Sequence, residues 1–256
     1  MKALTRFAAA LTVAALALAG RPAQAQQPAP PDATRYAALG DSIAAGFKAQ
    51  PATNGYTYLL YENGAFDRVS HTLFNNLSSV GATSKHVLDH QVPQALISAA
   101  EGGLRPDYVT LTVGGNDLAA IWRYLATNPS QSELETFIGV TITNYADNLG
   151  AILLELTTEL PDVKIFVSNQ YTVPEIAALL PPQANQVLTV FNQTLQAVAA
   201  PLAGRVHVVD VYSAFLDRQG LLLVERRDAG AFEVHLTNAG HRVMAQAFAD
   251  SIAENK

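Results

Sequence analysis

Three short blocks of this chain carry the residue types needed for acyl transfer. Gly40-Asp41-Ser42 closes the apolar run Tyr36-Ala37-Ala38-Leu39, and Gly114-Gly115-Asn116-Asp117 closes a second, Tyr108-Val109-Thr110-Leu111-Thr112-Val113. His235-Leu236-Thr237-Asn238-Ala239-Gly240 opens the last amphipathic segment. A serine hydroxyl is a poor nucleophile until a base removes its proton, so Ser42 needs a histidine beside it. The pattern predicts that Ser42 stands where a strand turns into a helix, whose start presents free N–H groups to negative charge. The Asn116 amide could add a donor for a developing oxyanion. Each block also has an ordinary reading. Gly-Asp-Ser favours turns, and asparagine after glycine is a common helix N-cap.

Six histidines compete for the role of base. His207 falls in an expected strand, as a core or edge residue. His71, His86 and His90 lie near element starts as exposed polar positions with no evident partner, and His241 sits at the edge of the last helix's apolar stripe. His235 precedes that helix in an expected loop, where catalytic groups concentrate. Asp41 and Asp117 read as acceptors for loop N–H groups rather than as paired acids. No histidine–carboxylate cluster has ligand spacing, there is no cysteine, and no glycine-rich phosphate cradle occurs. Neither a metal nor a cofactor is expected.

The serine, glycine, asparagine and histidine blocks, in this order, resemble the SGNH hydrolases, also called the GDSL esterase/lipase family. The resemblance implies an α/β fold, a three-layer α/β/α sandwich with a flavodoxin-like parallel sheet of about five strands. It implies hydrolysis of carboxylic esters through an acyl-enzyme on Ser42, with His235 as general base and then general acid. The oxyanion donors it implies are the Ser42 N–H, the Gly81 N–H and the Asn116 side-chain amide. Gly81, in Asn76-Leu77-Ser78-Ser79-Val80-Gly81-Ala82-Thr83, also reads as a loop glycine supplying positive φ. The chain departs from the family pattern at the third catalytic member: the position three before the histidine is Phe232, and Leu236 follows where proline is common. Glu233, Asp228 and a backbone carbonyl stand as alternatives for orienting the imidazole. Glu225-Arg226-Arg227-Asp228 equally reads as a solvated loop. A carbohydrate O-acetylesterase, an acyltransferase and a non-catalytic binding module are the rival functions.

Lys2 and Arg6 precede the apolar stretch Phe7–Gly20, and Ala23-Gln24-Ala25 supplies small residues at a cleavage-like site. This layout predicts a secretory signal peptide cut after Ala25, with the protein exported to a periplasm or beyond. The stretch is short for a membrane span, which needs roughly 20 apolar residues. Residues 26–33, with three prolines, read as a flexible lead-in, and 34–256 as one hydrolase domain. Without residues 1–25 the chain carries 13 basic and 22 acidic residues, a net charge of -9. That balance leaves no footprint for nucleic acid. A small-molecule, lipid or glycan ester is the expected partner, and a monomer the expected state.

Apolar runs at 35–39, 72–77, 108–113, 163–168 and 206–211 predict strands. Helical periodicity over Tyr56–Asn63, Thr83–Ala100, Leu118–Ala126, Ser132–Leu160, Gln183–Ala200 and Thr237–Ala253 predicts the helices between and after them. Such alternation implies a parallel sheet covered on both faces, with sites at the carboxyl ends of its strands. Ile121, Trp122, Tyr124 and Leu125, with Ile176, Leu179 and Leu180, are candidates for an apolar acyl-binding wall.

Overall fold

Alternate residues of the central strands feed two separate cores, because successive side chains of a strand point to opposite faces. Tyr36, Ala38 and Phe166 enter one core; Ala37, Leu39, Val109, Leu111, Ile165 and Val167 enter the other. A computed structural model describes residues 32–102, 105–178, 183–226 and 232–256. The expected signal peptide, and the lead-in up to Pro31, lie outside the described residues. Five strands form one parallel sheet: β1 (Thr34–Gly40), β2 (Thr72–Asn76), β3 (Tyr108–Thr112), β4 (Lys164–Ser168) and β5 (Val206–Val209). Their order is β2-β1-β3-β4-β5. This is the flavodoxin-like arrangement, and strand order reverses between β1 and β3.

Helices cover both faces. The first core receives α3 (Val92–Gly102), α4 (Gly115–Leu125), α5 (Gln131–Glu159) and α7 (Gln183–Ala199). The second receives α1 (Tyr56–Glu62), α8 (Val211–Phe215) and α9 (Asn238–Asn255). A short α2 (Ser84–His86) runs through one π turn, Val87–Gln91, into α3, and α6 (Pro174–Ala177) follows β4. Caps explain where the longer helices begin. Ser130 and Glu133 form a reciprocal capping box at α5, and the Thr237 hydroxyl accepts the Gly240 N–H at 3.1 Å at α9.

One element departs from the sequence expectation. β6 (Leu222–Arg226) and β7 (Phe232–Leu236) form a separate antiparallel pair, with Leu223 opposite His235. His235 therefore stands on a strand, not in a loop, and Glu225 and Arg226 belong to its partner strand. The alternation Phe232, Val234, Leu236 was the available signal. The charged residues around it read as solvated loop instead.

Candidate active site

Gly40 ends β1 with φ +132, and a Cβ there would lie 2.1 Å from the Thr112 carbonyl oxygen. Only glycine lets the chain pass β3 this closely. The Asp41 N–H then donates to the Thr112 carbonyl at 3.1 Å, and Asp41 Oδ1 accepts from Ile43 N at 2.9 Å and Thr112 Oγ1 at 3.0 Å. Beyond Ser42 the backbone forms irregular turns rather than the expected helix. Ala45 N bonds to Asp41 O, Gly46 N to Ile43 O and Phe47 N to Ser42 O, a ladder of unequal spacing. Positive φ at Gly46 (+68) and Lys48 (+70) interrupts any right-handed helix. Asp41 is almost wholly buried, and burial pushes its carboxyl up to about 6 despite those hydrogen bonds.

His235 Nε2 lies 2.9 Å from Ser42 Oγ, joining residues 193 positions apart. With its proton on Nδ1, the imidazole accepts from the hydroxyl. The Phe47 ring meets the imidazole edge-on at 4.6 Å. Asn238, just inside α9, grips the other end of the Ser42 loop: its Oδ1 accepts the Gln50 N–H at 2.9 Å and its Nδ2 donates to Gln50 O at 2.5 Å. His241, fully buried, accepts the Tyr56 N–H on Nδ1 at 3.3 Å, and burial lowers its pKa to about 4. Phe47 and Asn238 were not singled out from sequence; only their coordinates reveal them.

The loop after β2 closes against the same region. Ser79 N donates to Gly40 O at 3.1 Å, and two residues later Gly81 is exposed with φ +83. Asn116, the second residue of α4, does not cap it; the N-cap position is Gly114. Its Nδ2 donates to Ala82 O at 2.8 Å, next to Gly81, leaving the amide's second hydrogen for another acceptor. Asp117 holds the loop's far end, its oxygens accepting Ser84 N at 3.0 Å and Ser84 Oγ at 2.7 Å. Among the described residues, the N–H groups of Ser42 and Gly81 donate to no acceptor. Because Gly40 pairs with Thr112, Ser42 and Asn116 follow the carboxyl ends of adjacent strands at the reversal point.

Other expectations fall differently. Ile121 is fully buried in the first core, so it cannot line an acyl wall; Trp122 packs on that core and Tyr124 stacks on Phe137 at 4.3 Å. Leu179 and Leu180 lie outside the described residues. So do Asp228 and the Glu233 side chain, although Glu233 itself lies on β7. His71 is paired with Asp67 at 2.8 Å and Asp32 at 3.2 Å, and His86 Nε2 meets Ser79 Oγ at 3.1 Å. His207 stands on edge strand β5, its ring stacked on Phe166. No group of three or more His, Cys, Asp and Glu side chains converges among the described residues as a metal ion would require.

The sequence model of the GDSL-like lipase/acylhydrolase family matches residues 38–243, which spans all of these groups. The chain belongs to that family. Family membership makes it a hydrolase of the ester-cleaving kind, and the fold agrees with solved GDSL lipases. Phospholipase A1 from Streptomyces albidoflavus NA297 superposes with a TM-score of 0.64 at 18% identity, covering 88% of this chain and 100% of that one. The lipase Lip_vut3 from a goat rumen metagenome gives 0.61 at 18%, covering 85% and 97%. The extracellular lipase of Streptomyces rimosus gives 0.57 at 19%, covering 86% and 100%. No curated protein sequence matches the chain significantly. Among the described residues, no helix of this GDSL-family chain is long and apolar enough to cross a membrane.

Proposed function

We propose that the protein is an exported serine esterase/lipase that hydrolyses carboxylic esters through an acyl-enzyme on Ser42. One observation carries this reading: the 2.9 Å contact between His235 Nε2 and Ser42 Oγ. It is the separation a general base needs to take a hydroxyl proton. Ser42 Oγ attacks the ester carbonyl carbon while its proton passes to His235 Nε2. The carbonyl oxygen gains the negative charge and is held by the Ser42 and Gly81 N–H groups and the second Asn116 amide hydrogen. Collapse breaks the bond to the leaving oxygen, which takes the proton from His235. Water then attacks the acyl-enzyme, giving its proton to His235, and the free acid leaves as Ser42 recovers that proton.

The lipases and the phospholipase A1 that share the fold support an acyl ester as substrate class, and the leader-like residues 1–25 support export. A fluorophosphonate probe and a short p-nitrophenyl ester test the reaction. The wild-type chain is expected to be labelled and to turn over, with both lost in Ser42→Ala. An unlabelled, inert wild type would instead favour a binding module on the same scaffold.

A further inference from the structure

Gln91, on the π turn between α2 and α3, is 2% exposed, and its side-chain amide is wholly engaged with backbone and side chain near the nucleophile. Oε1 accepts the Gly40 N–H at 2.7 Å, while Nε2 donates to Gly40 O at 2.8 Å and to Ser79 Oγ at 3.2 Å. The opposite amide orientation would set N–H against N–H and carbonyl against carbonyl, so the bonding itself assigns it. A π turn inserts one extra residue per turn and is often found at functional sites. Here it turns a long polar side chain inward beneath the end of β1.

The consequences reach both backbone donors. The Gly40–Asp41 peptide plane is held at its oxygen by Gln91 Nε2 and Ser79 N, and at its nitrogen by the Thr112 carbonyl. With that plane fixed at both ends, the direction of the next N–H, that of Ser42, follows from a single pair of dihedrals. The same amide nitrogen ties Ser79, two residues before Gly81, whose own backbone makes no hydrogen bond among the described residues to hold it. Gly40 cannot supply this rigidity itself, because glycine is the residue with most backbone freedom.

We infer that Gln91 is a positioning residue that sets the spacing of the Ser42 and Gly81 N–H groups through one shared side-chain amide. This rests on the oxyanion role proposed above for those two groups. Its effect belongs to the transition state: a donor displaced by a fraction of an ångström binds a neutral ester almost as well but meets a tetrahedral oxyanion badly.

Gln91→Met keeps the volume and removes all three hydrogen bonds. It is expected to lower kcat per fluorophosphonate-titrated site by about 10- to 100-fold. KM should stay within about two-fold, and the affinity of a boronic acid that forms a tetrahedral adduct on Ser42 should fall by the same factor as kcat. Gln91→Glu keeps the acceptor for Gly40 N–H but donates only when protonated. Its kcat relative to wild type should therefore climb as pH falls, a readout that loss of packing would not move, and one that stands if the Met variant fails to fold. Wild-type turnover with both variants within about three-fold in kcat per site overturns the inference and leaves the esterase reading intact. So does a loss confined to KM, or a Glu variant whose relative rate ignores pH. An inert, unlabelled wild type removes the esterase reading first.

Discussion

Replacing Asp41 by asparagine should make the protein more stable at neutral pH, although the residue stands beside Ser42, the proposed nucleophile. Both hydrogen bonds that Asp41 receives, from Ile43 N and Thr112 Oγ1, end on the single oxygen Oδ1. An asparagine carbonyl in the same place keeps both and removes a buried charge. Burial raises the carboxyl from 3.8 to about 6, a cost of about 3 kcal/mol at neutral pH. Against this, Asp41 Oδ2 lies 3.5 Å from where a Cβ on Gly115 would stand, at the start of α4. A carboxylate near a helix N-terminus gains on the order of 1 kcal/mol. Such a gain acts by lowering the folded carboxyl below about 6, so the plateau for Asp41→Asn lies between about 2 and 3 kcal/mol, or roughly 4–12 °C in Tm for a domain of this size. The sign follows from proton counts. Between pH 3.8 and about 6 the folded state keeps a proton that the unfolded chain has released, so wild-type stability falls as pH rises through that window. The difference between variant and wild type should be near zero below pH 3.8, grow across the window and level off above pH 7. Urea unfolding at half-unit pH intervals measures it. A variant less stable than wild type at pH 7.5, or a difference that ignores pH, refutes the reasoning.

The remaining expectations concern single groups. Asn116→Ala should cost about 100- to 1,000-fold in kcat, and Asn116→Asp at least as much above pH 6, since a carboxylate cannot donate to an oxyanion; steady-state kinetics decides, and a loss under ten-fold removes Asn116 from the oxyanion donors. Gly40→Ala must place a methyl 2.1 Å from the Thr112 carbonyl at φ +132, so a loss of more than about 3 kcal/mol in urea unfolding is expected; near-wild-type stability contradicts the close approach of β1 and β3. His241, whose pKa burial lowers from 6.5 to about 4, binds a proton in the unfolded chain before the folded one. It should thus withdraw up to about 3 kcal/mol of stability as pH falls from 6.5 toward 4, a loss that His241→Gln should abolish in the same titration.

What the sequence made legible was whatever depends on local spacing. The alternation of β-branched runs with helical periodicity predicts the five parallel strands within a residue or two, since a strand buried on both faces shows as a near-continuous apolar run without its partners being known. Gly40-Asp41-Ser42 and Gly114-Gly115-Asn116 were legible for a similar reason: two glycines with large positive φ and a close backbone approach leave a mark that composition alone can show. The misreadings arise where a partner far along the chain decides. The turns after Ser42 replace a helix where Gly46 and Lys48 take positive φ, in a segment whose far end, Gln50, is bonded by Asn238 from across the sequence. The β6–β7 pair has few residues and many charges, and its strand character comes from each half hydrogen-bonding the other. Ile121 looked like a pocket residue because amphipathic spacing marks an apolar face without saying whether it meets substrate or sheet.

The same division explains how a serine just after the first strand meets a histidine on the last. β7 is not part of the five-stranded sheet, so that sheet cannot set the 2.9 Å contact by register. α9 provides the other tether. Met244, Phe248 and Ile252 enter the second core, and Phe248 stacks on Tyr56 of α1 at 5.0 Å. At its start, Asn238 and His241 bond the backbone at Gln50 and Tyr56, both on the segment that follows Ser42. The residue that ends β7 and the helix that docks it are thus joined to the segment after Ser42 by two exposed bonds from Asn238 and a buried one to His241. Proton transfer over such a distance tolerates little slack. The apolar stripe of the last helix, legible from its spacing alone, is accordingly part of what keeps His235, the proposed base, at Ser42.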